Sequence, residues 1–281
     1  MAAHNEEKLI DRALTNLFYL PYKDYEVIIG LDGCTDKTEE IVNSFEERKP
    51  VFKHFNFNLR QGKPAVINKL AKKAKGDILI IHDADWIFKV KNKEALEKYL
   101  SAFNVPVIGG IAESFPVEEP NKGNWVYRMV AWSSLFWIQY NKLNDTMLLT
   151  NVLRRKLFKE NSSLGDDFER TKDITDAGYT VVTIESPEEP RMVASYDKIK
   201  FRDFFKQKIR TAVARKQLGD KGKPVSFSYY LNSCEYILCE GFKHGKGTMM
   251  TIWIALTALA TLISKFKKID TREGWNMRAE R

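Results

Sequence analysis

The sequence predicts an α/β fold: a mostly parallel, Rossmann-like sheet flanked by helices, followed by a helical segment suited to a membrane. Three observations carry this expectation. Segments of helical period alternate with short apolar, β-branched runs through the first two thirds of the 281 residues. An acidic triplet, Asp83-Ala84-Asp85, stands where one of these runs ends. Eighteen consecutive residues near the C-terminus, Gly247–Ser264, carry no charge. With 44% apolar and 29% charged residues the chain can build a core, which excludes a disordered or low-complexity polymer. Its three cysteines, Cys34, Cys234 and Cys239, have neither CxxC spacing nor an even count. A disulfide framework and a zinc knuckle are therefore not expected, and a reduced, cytosol-facing compartment is. Residues 1–20 carry Glu6, Glu7 and Asp11 where a secretory signal needs an apolar stretch.

The elements follow in order. Leu9, Ile10, Ala13, Leu14 and Leu17 share one helical face, with Asn5 available as N-cap. Residues 25–31 (YEVIIGL) read as a buried strand. A second helix carries Ile41, Val42 and Phe45 and is capped near Thr35 or Asp36. Residues 51–57 read as a strand, 63–75 as a helix with Val66, Leu70, Ala71 and Ala74 inward, and 77–82 (DILIIH) as another buried strand. In such a β/α alternation ligands bind at the carboxyl ends of the strands. Trp125, Met129, Trp132, Phe136, Trp137 and Tyr140 then make an aromatic helical face, read either as core or as an acceptor-binding wall. Residues 146–152 suggest a strand before the basic turn Arg154-Arg155-Lys156. Residues 166–178 read as a helix ending at Gly178, 179–184 as a strand, and 201–218 as a basic amphipathic helix.

The formal charge is +8, and its placement is uneven. Residues 196–223 hold ten Lys/Arg against three Asp, a net +7. Such a stretch attracts nucleic acid, anionic lipid or substrate phosphates. Beyond it, residues 226–242 set Glu235 and Glu240 among aromatics, which favours an interface over a span. The charge-free run is about 27 Å long as a helix, against a hydrocarbon core of roughly 30 Å. Four threonines weaken it further. It reads as a membrane span, an in-plane or re-entrant helix, or a buried soluble helix.

Asp83-Ala84-Asp85 carries the strongest local chemistry. On an extended chain residues i and i+2 point the same way, so both carboxylates can face one cavity and hold a hard divalent cation with a diphosphate. The histidines (His4, His54, His82 and His244) show no metal-ligand spacing, and His82 reads as structural.

The order of segments over roughly residues 1–215 resembles that of family 2 glycosyltransferases, inverting enzymes with a GT-A fold. Ala3-His4-Asn5-Glu6-Glu7 looks like the family's opening motif. Leu31-Asp32-Gly33-Cys34-Thr35-Asp36-Lys37-Thr38 resembles its Asp-Gly-Ser-Thr-Asp-x-Thr segment, with Cys34 for the serine. Gly62-Lys63 followed by Asn68 resembles a Gly-Lys-x-x-Ala-x-Asn helix start, and Asp83-Ala84-Asp85 the metal-binding Asp-x-Asp. Asp166-Asp167 sits where the family has a pair of acids ahead of a helix, and Gln207-Lys208-Ile209-Arg210 resembles Gln-x-x-Arg-Trp, with Thr211 for the tryptophan.

The resemblance implies a nucleotide-sugar donor, a UDP-sugar first, and Mn2+ or Mg2+ held by Asp83 and Asp85. Asp32 would meet the base, Lys63 the phosphates and Asp83 the ribose or the metal. Asn5 and Glu7 would lie near the nucleotide. Asp167 would be the general base supported by Asp166, and Arg210 with Gln207 would close on the diphosphate; Lys206 and Arg215 are weaker candidates. Residues 1–218 would form the GT-A domain, with a truncated first strand because the chain starts inside the opening motif, and residues 219–281 an amphipathic and apolar membrane-associating segment. The acceptor would be a lipid-linked or saccharide hydroxyl or phosphate at the cytoplasmic membrane surface, taking a single sugar rather than a polymer, given Thr211. Two other classes share parts of this pattern. A sugar nucleotidyltransferase needs a Gly-rich, Arg-containing loop after its first strand, which AAHNEE is not. A nucleotide- or nucleic-acid-binding domain would favour basic residues and aromatics on a sheet, whereas here they are on a helix, so no nucleic acid is expected.

Overall fold

The computed structural model describes residues 1–46, 52–113, 120–144, 148–184, 190–194, 199–222 and 225–272. Val51, Thr146 and Met147 of two expected strands, and Tyr196, Asp197, Lys198 and Lys223 of the basic stretch, lie outside them. The chain forms two compact units. The first comprises Met1–Pro116, Leu149–Ser162 and Arg170–Ala194, and the second comprises Val117–Leu148, Ser163–Glu169 and Ser195–Arg281. The border expected at 218/219 falls inside the second unit.

The first unit holds every strand among the described residues. β1 (Ala2–Ala3), β2 (Val27–Asp32) and β3 (Phe52–Phe57) are parallel, in the order β1-β2-β3. β4 (Ile78–Ile80), β6 (Ile108–Ala112), β7 (Thr150–Arg154) and β8 (Thr180–Thr183) form a second group, ordered β4-β7-β6-β8. A parallel bridge between Ala2 and Asp83 joins the two groups. β7 runs antiparallel to both β4 and β6, while β6 and β8 are parallel. β5 (Trp86–Lys89) pairs antiparallel with β9 (Arg191–Ala194) as a separate ribbon, which the sequence pattern did not reveal. β1 has only two residues, yet it is paired on both sides.

The helices of this unit are α1 (Ile10–Phe18), α2 (Thr38–Glu46), α3 (Lys63–Ala71) and α4 (Lys93–Leu100), together with part of α6 (Asp166–Asp176). Spacing explains α1: Ile10, Ala13, Leu14 and Leu17 are all buried. They meet Ile29 and Leu31 of β2, Val42 of α2 and Phe88 of β5 in one core. Full burial of such side chains contributes about 1.5–3 kcal/mol each. Asn16 fixes α1 to β5, accepting from the Phe88 N–H at 2.8 Å and donating to its carbonyl at 3.2 Å. Two expectations are corrected here. The N-cap of α1 is Leu9, with no side-chain cap, because Asn5 bonds elsewhere. The strand expected over 77–82 shrinks to β4, and its residues are half-buried.

Arg170, fully buried in α6, anchors that helix to β7: its Nε donates to the Thr150 carbonyl at 2.8 Å and an Nη donates to Asn151.

The second unit is helical: α5 (Trp125–Leu143), α7 (Phe201–Asp220), α8 (Phe227–Lys243) and α9 (Gly247–Ser264). Asn124 and Ser226 cap α5 and α8 by accepting the N–H of Tyr127 and Tyr229. Met129 and Phe136 of α5, Phe204 of α7, Ile237 of α8, and Met250 and Trp253 of α9 form its core. The aromatic face of α5 therefore packs inward at Phe136 and Tyr140, while Trp125 stays partly exposed. Lys208 of α7 lies 3.5 Å over the Trp253 ring, and burial with the neighbouring Arg215 pulls its ammonium well below the usual lysine range.

Gly30 marks the closest approach of α3 to β2. A Cβ there would overlap Cγ1 of Val66 and lie 3.0 Å from the Phe57 ring. Gly30→Ala is expected to lower stability by about 1–3 kcal/mol through overpacking, seen as an earlier urea midpoint with unchanged slope. An unchanged midpoint would contradict this packing.

Candidate active site

Four sequence motifs converge in the first unit, at the carboxyl ends of β1, β2 and β4. The opening turn after β1 and the turn after β2 lock together. Asn5, held at φ 52°, accepts the Thr35 N–H at 2.7 Å and donates to the Thr35 hydroxyl at 3.1 Å. The Glu7 N–H donates to Asp36 at 3.2 Å, and the Glu7 carboxylate accepts the Lys37 N–H at 3.1 Å. The buried Glu6 N–H reaches the Thr38 hydroxyl at 2.6 Å. In these bonds Asn5 and Glu7 shape the 35–37 turn.

Asp32 ends β2 and is fully buried. Its two carboxylate oxygens accept main-chain N–H groups from the segment entering α3: Gln61 at 2.6 Å and Gly62 at 2.8 Å. A carbonyl can only accept, so His4 Nδ1, 2.6 Å from the Asp32 carbonyl, carries the proton there. Through Gly62, Asp32 fixes where α3 begins, and with it Lys63. The Lys63 ammonium lies 2.5 Å from the Asp83 carboxylate, an ion pair mostly shielded from water. A helix N-terminus and a lysine together make a place for phosphate oxygens.

The acidic triplet is not extended. Ala84 and Asp85 form a turn before β5, closed by the Trp86 N–H to the Asp83 carbonyl at 3.2 Å. Alternation along a strand is therefore not what relates Asp83 to Asp85; a turn is. Ala84 is buried and both acids are half-buried. Their hard oxygen donors suit Mn2+ or Mg2+. No group of three or more His, Cys, Asp or Glu that could hold an ion occurs among the described residues. The pair would thus supply part of a coordination shell and leave the rest to substrate oxygens and water. His82 beside them is buried, neither ring nitrogen has a protein partner among the described residues, and burial pushes its pKa down to about 4. It stays neutral, as a structural histidine would.

Asp166, Asp167, Gln207 and Arg210 belong to the second unit. Asp166 and Asp167 open α6; Asp166 is buried, while Asp167 is half-buried with one oxygen accepting the Phe168 N–H at 2.9 Å. This first turn is strongly held. Glu169 is buried and accepts both the Ser163 hydroxyl at 2.6 Å and the Lys221 ammonium at 2.7 Å. Gln217 of α7 accepts the Leu164 N–H at 3.0 Å, and Phe168 meets Trp137 edge-on. Glu169 is buried while Lys221 is exposed, and a buried carboxylate deprived of its counter-charge is costly. On α7 Arg210 donates to Gln207 one turn earlier at 3.5 Å, and its buried Nε has no protein partner among the described residues. Lys206 is exposed; Arg215 lies 5.2 Å from the Tyr230 ring.

Asn161 was missed by sequence reasoning. The Asn68 side chain clamps its main chain, donating to the carbonyl at 2.7 Å and accepting the N–H at 3.0 Å. The Asn161 amide is left buried, with both Oδ1 and Nδ2 lacking a protein partner among the described residues. Buried polar atoms are normally satisfied, so this amide keeps hydrogen-bonding capacity that water or a polar ligand would fill. Spacing gives no hint of it, because its partner lies 93 residues away.

Comparison with known proteins agrees with the geometry. Among curated proteins the chain is 32% identical over 108 residues to a dolichyl-phosphate beta-glucosyltransferase of Trichomonas vaginalis, covering 36% of this chain and 33% of that one. It is 30% identical over 87 residues to a poly-beta-1,6-N-acetyl-D-glucosamine synthase of Staphylococcus epidermidis, covering 31% and 21%. The chain thus spans a third or less of these relatives' lengths. Among solved structures, a mannosyltransferase from Pyrobaculum calidifontis in complex with GDP-Man and Mn2+ superposes with a TM-score of 0.58 at 18% identity, over 96% of this chain and 75% of that one. Glucosyl-3-phosphoglycerate synthase from Mycobacterium tuberculosis, with Mn2+ and UDP, gives 0.52 at 16%, over 80% and 79%. These likenesses show the GT-A fold. The model described as glycosyl transferase family 2 matches residues 1–160, more than half of the chain, and the protein belongs to that family.

Proposed function

We propose that the chain is an inverting glycosyltransferase. It moves a sugar from a nucleotide-sugar donor, a UDP-sugar first, to an acceptor hydroxyl or phosphate at the cytoplasmic membrane surface. One observation carries the reading: the Asp32 carboxylate holds the start of α3 so that Lys63 meets Asp83 at the carboxyl ends of the strands. A nucleoside diphosphate is the ligand whose charge suits a lysine at a helix start beside two carboxylates that can share a cation. The solved structures of like fold, holding GDP-Man or UDP with Mn2+, support this class.

Each residue then has a task. Asn5 and Glu7 keep the turn beside the nucleotide in shape, and Asp32 sets the loop that borders the base. Lys63 moves from Asp83 to the phosphates when a donor binds. Asp83 and Asp85 would hold Mn2+ or Mg2+, which would offset the charge growing on the departing diphosphate. Asp167 takes the proton from the acceptor hydroxyl as that oxygen attacks the anomeric carbon opposite the leaving group. Inversion needs one such base, and with a metal at the diphosphate no second carboxylic acid is required. Asp166 supports Asp167, while Arg210, oriented by Gln207, gives its free Nε–H to a diphosphate oxygen.

UDP is expected to raise the melting temperature in the presence of Mn2+ and to do so far less after chelation; Asp85→Ala should abolish the metal-dependent part. A UDP response identical with and without metal in both proteins would remove the metal from the site. Asp167→Asn should keep donor binding and lower transfer by about 10²–10⁴-fold, measured as sugar transfer across a panel of nucleotide sugars. Near-normal turnover in that variant would show that another group is the base.

A further inference from the structure

The charge-free helix α9 has two faces. One packs within the second unit against α5, α7 and α8, burying Met250, Trp253, Ala260 and Ser264. The α8–α9 turn is tight: a Cβ on Gly241 would lie 2.6 Å from Met250 Cγ, so α9 folds straight back along α8. Contact with α7 persists past the end of α9, from Lys208 over Trp253 to Gln217 donating to the Ile269 carbonyl at 3.4 Å. The other face is open. Thr248, Ile252, Ala255, Leu259, Leu262 and Phe266 follow one another at helical spacing, and Ile252, Leu259, Leu262 and Phe266 are 39%, 47%, 56% and 90% exposed.

We propose that α9 lies in the plane of an anionic membrane surface, docked through this open stripe, and does not cross the bilayer. The inference rests on the membrane placement proposed above and fixes its geometry. A crossing helix takes its packed neighbours to hydrocarbon depth. Here the neighbour is α7, with Arg202, Lys206, Arg210, Arg215 and Lys216, and ionised side chains of this kind are strongly disfavoured at hydrocarbon depth. In-plane docking leaves α7 clear of the lipid and buries only the open side. Charge complementarity selects the occupant. Lys265, Lys267 and Lys268 are all exposed around Phe266 at one end of the stripe, as an anionic leaflet requires and an apolar partner does not. Elsewhere on α9, Thr251, Thr257, Thr261 and Ser264 each donate their hydroxyl to a carbonyl of the helix itself, at 2.7–3.0 Å.

The test uses the full chain. It should float with phosphatidylcholine vesicles containing phosphatidylserine and only weakly with phosphatidylcholine alone. Leu259→Asp with Leu262→Asp should weaken flotation by about tenfold or more, as should changing Lys265, Lys267 and Lys268 to Ala. These side chains are exposed, and circular dichroism checks that the fold is kept. In sealed membranes from expressing cells, with Cys34, Cys234 and Cys239 replaced by Ser, Lys243→Cys and Asp270→Cys, which flank α9 outside the stripe, should react with an impermeant maleimide from the same side. Reaction from opposite sides would overturn in-plane docking while keeping the membrane placement. No flotation under any condition would overturn both. A dimer that Leu259→Asp converts to monomer, without vesicle binding, would assign the stripe to a second copy and overturn the lipid. Donor binding by the membrane-free variants checks the transferase reading separately.

Discussion

One buried carboxylate sets the geometry at the carboxyl end of β2. Asp32 has no water to neutralise it and accepts two main-chain N–H groups instead, at Gln61 and Gly62. Hydrogen bonds to a charged acceptor are among the stronger ones available, and a buried acceptor left without them is expensive. The end of β2 and the beginning of α3 therefore cannot drift apart. From this follow the position of Lys63, its pairing with Asp83, and the juxtaposition of the triplet with the opening motif through the Ala2–Asp83 bridge. The second shared constraint is the interlocking of Asn5, Glu6 and Glu7 with Thr35, Asp36 and Thr38, which makes two distant turns one object.

Much of this was legible in the residues. The apolar runs at 25–31 and 179–184 became β2 and β8, and the periodic stretches became α1, α2, α3, α6 and α7 with ends shifted by a few residues. The acidic triplet stood out because it follows directly on an apolar run, and the order of the other motifs gave it context. What escaped was set by tertiary partners. β5 and β9 pair across about a hundred residues, and neither alternates clearly enough to be read alone. β7 runs antiparallel to β4 and β6, a direction that its own residues do not encode. Asn5 looks like a helix cap locally, yet the turn at Thr35 takes its side chain. Alternation suggested a shared face for Asp83 and Asp85, but the chain turns between them.

The site residues divide by how they could be recognised. Asp83 and Asp85 stand in a short local motif, while Asp32 and Lys63 are candidates through the order of motifs that resembles the family. Neither route leads to Asn161 or Arg170. Arg170 is an ordinary basic residue on a helix until its guanidinium is seen bound to Thr150 and Asn151, and Asn161 is one of several loop asparagines until its clamp by Asn68 is known. Composition changes near residue 218, but packing joins α7 to α8 and α9 around a common aromatic core, so charge content and compactness divide the chain at different places.

The Lys63–Asp83 pair has a consequence for the empty protein. A half-buried anion without a counter-ion would repel its acidic neighbour at Asp85 and loosen the turn that carries both. The tethered ammonium acts as a resident stand-in, present at fixed stoichiometry and never lost by dilution. Breaking the pair from either side would strand a partly shielded charge, so the start of α3 and the turn before β5 are held as one unit.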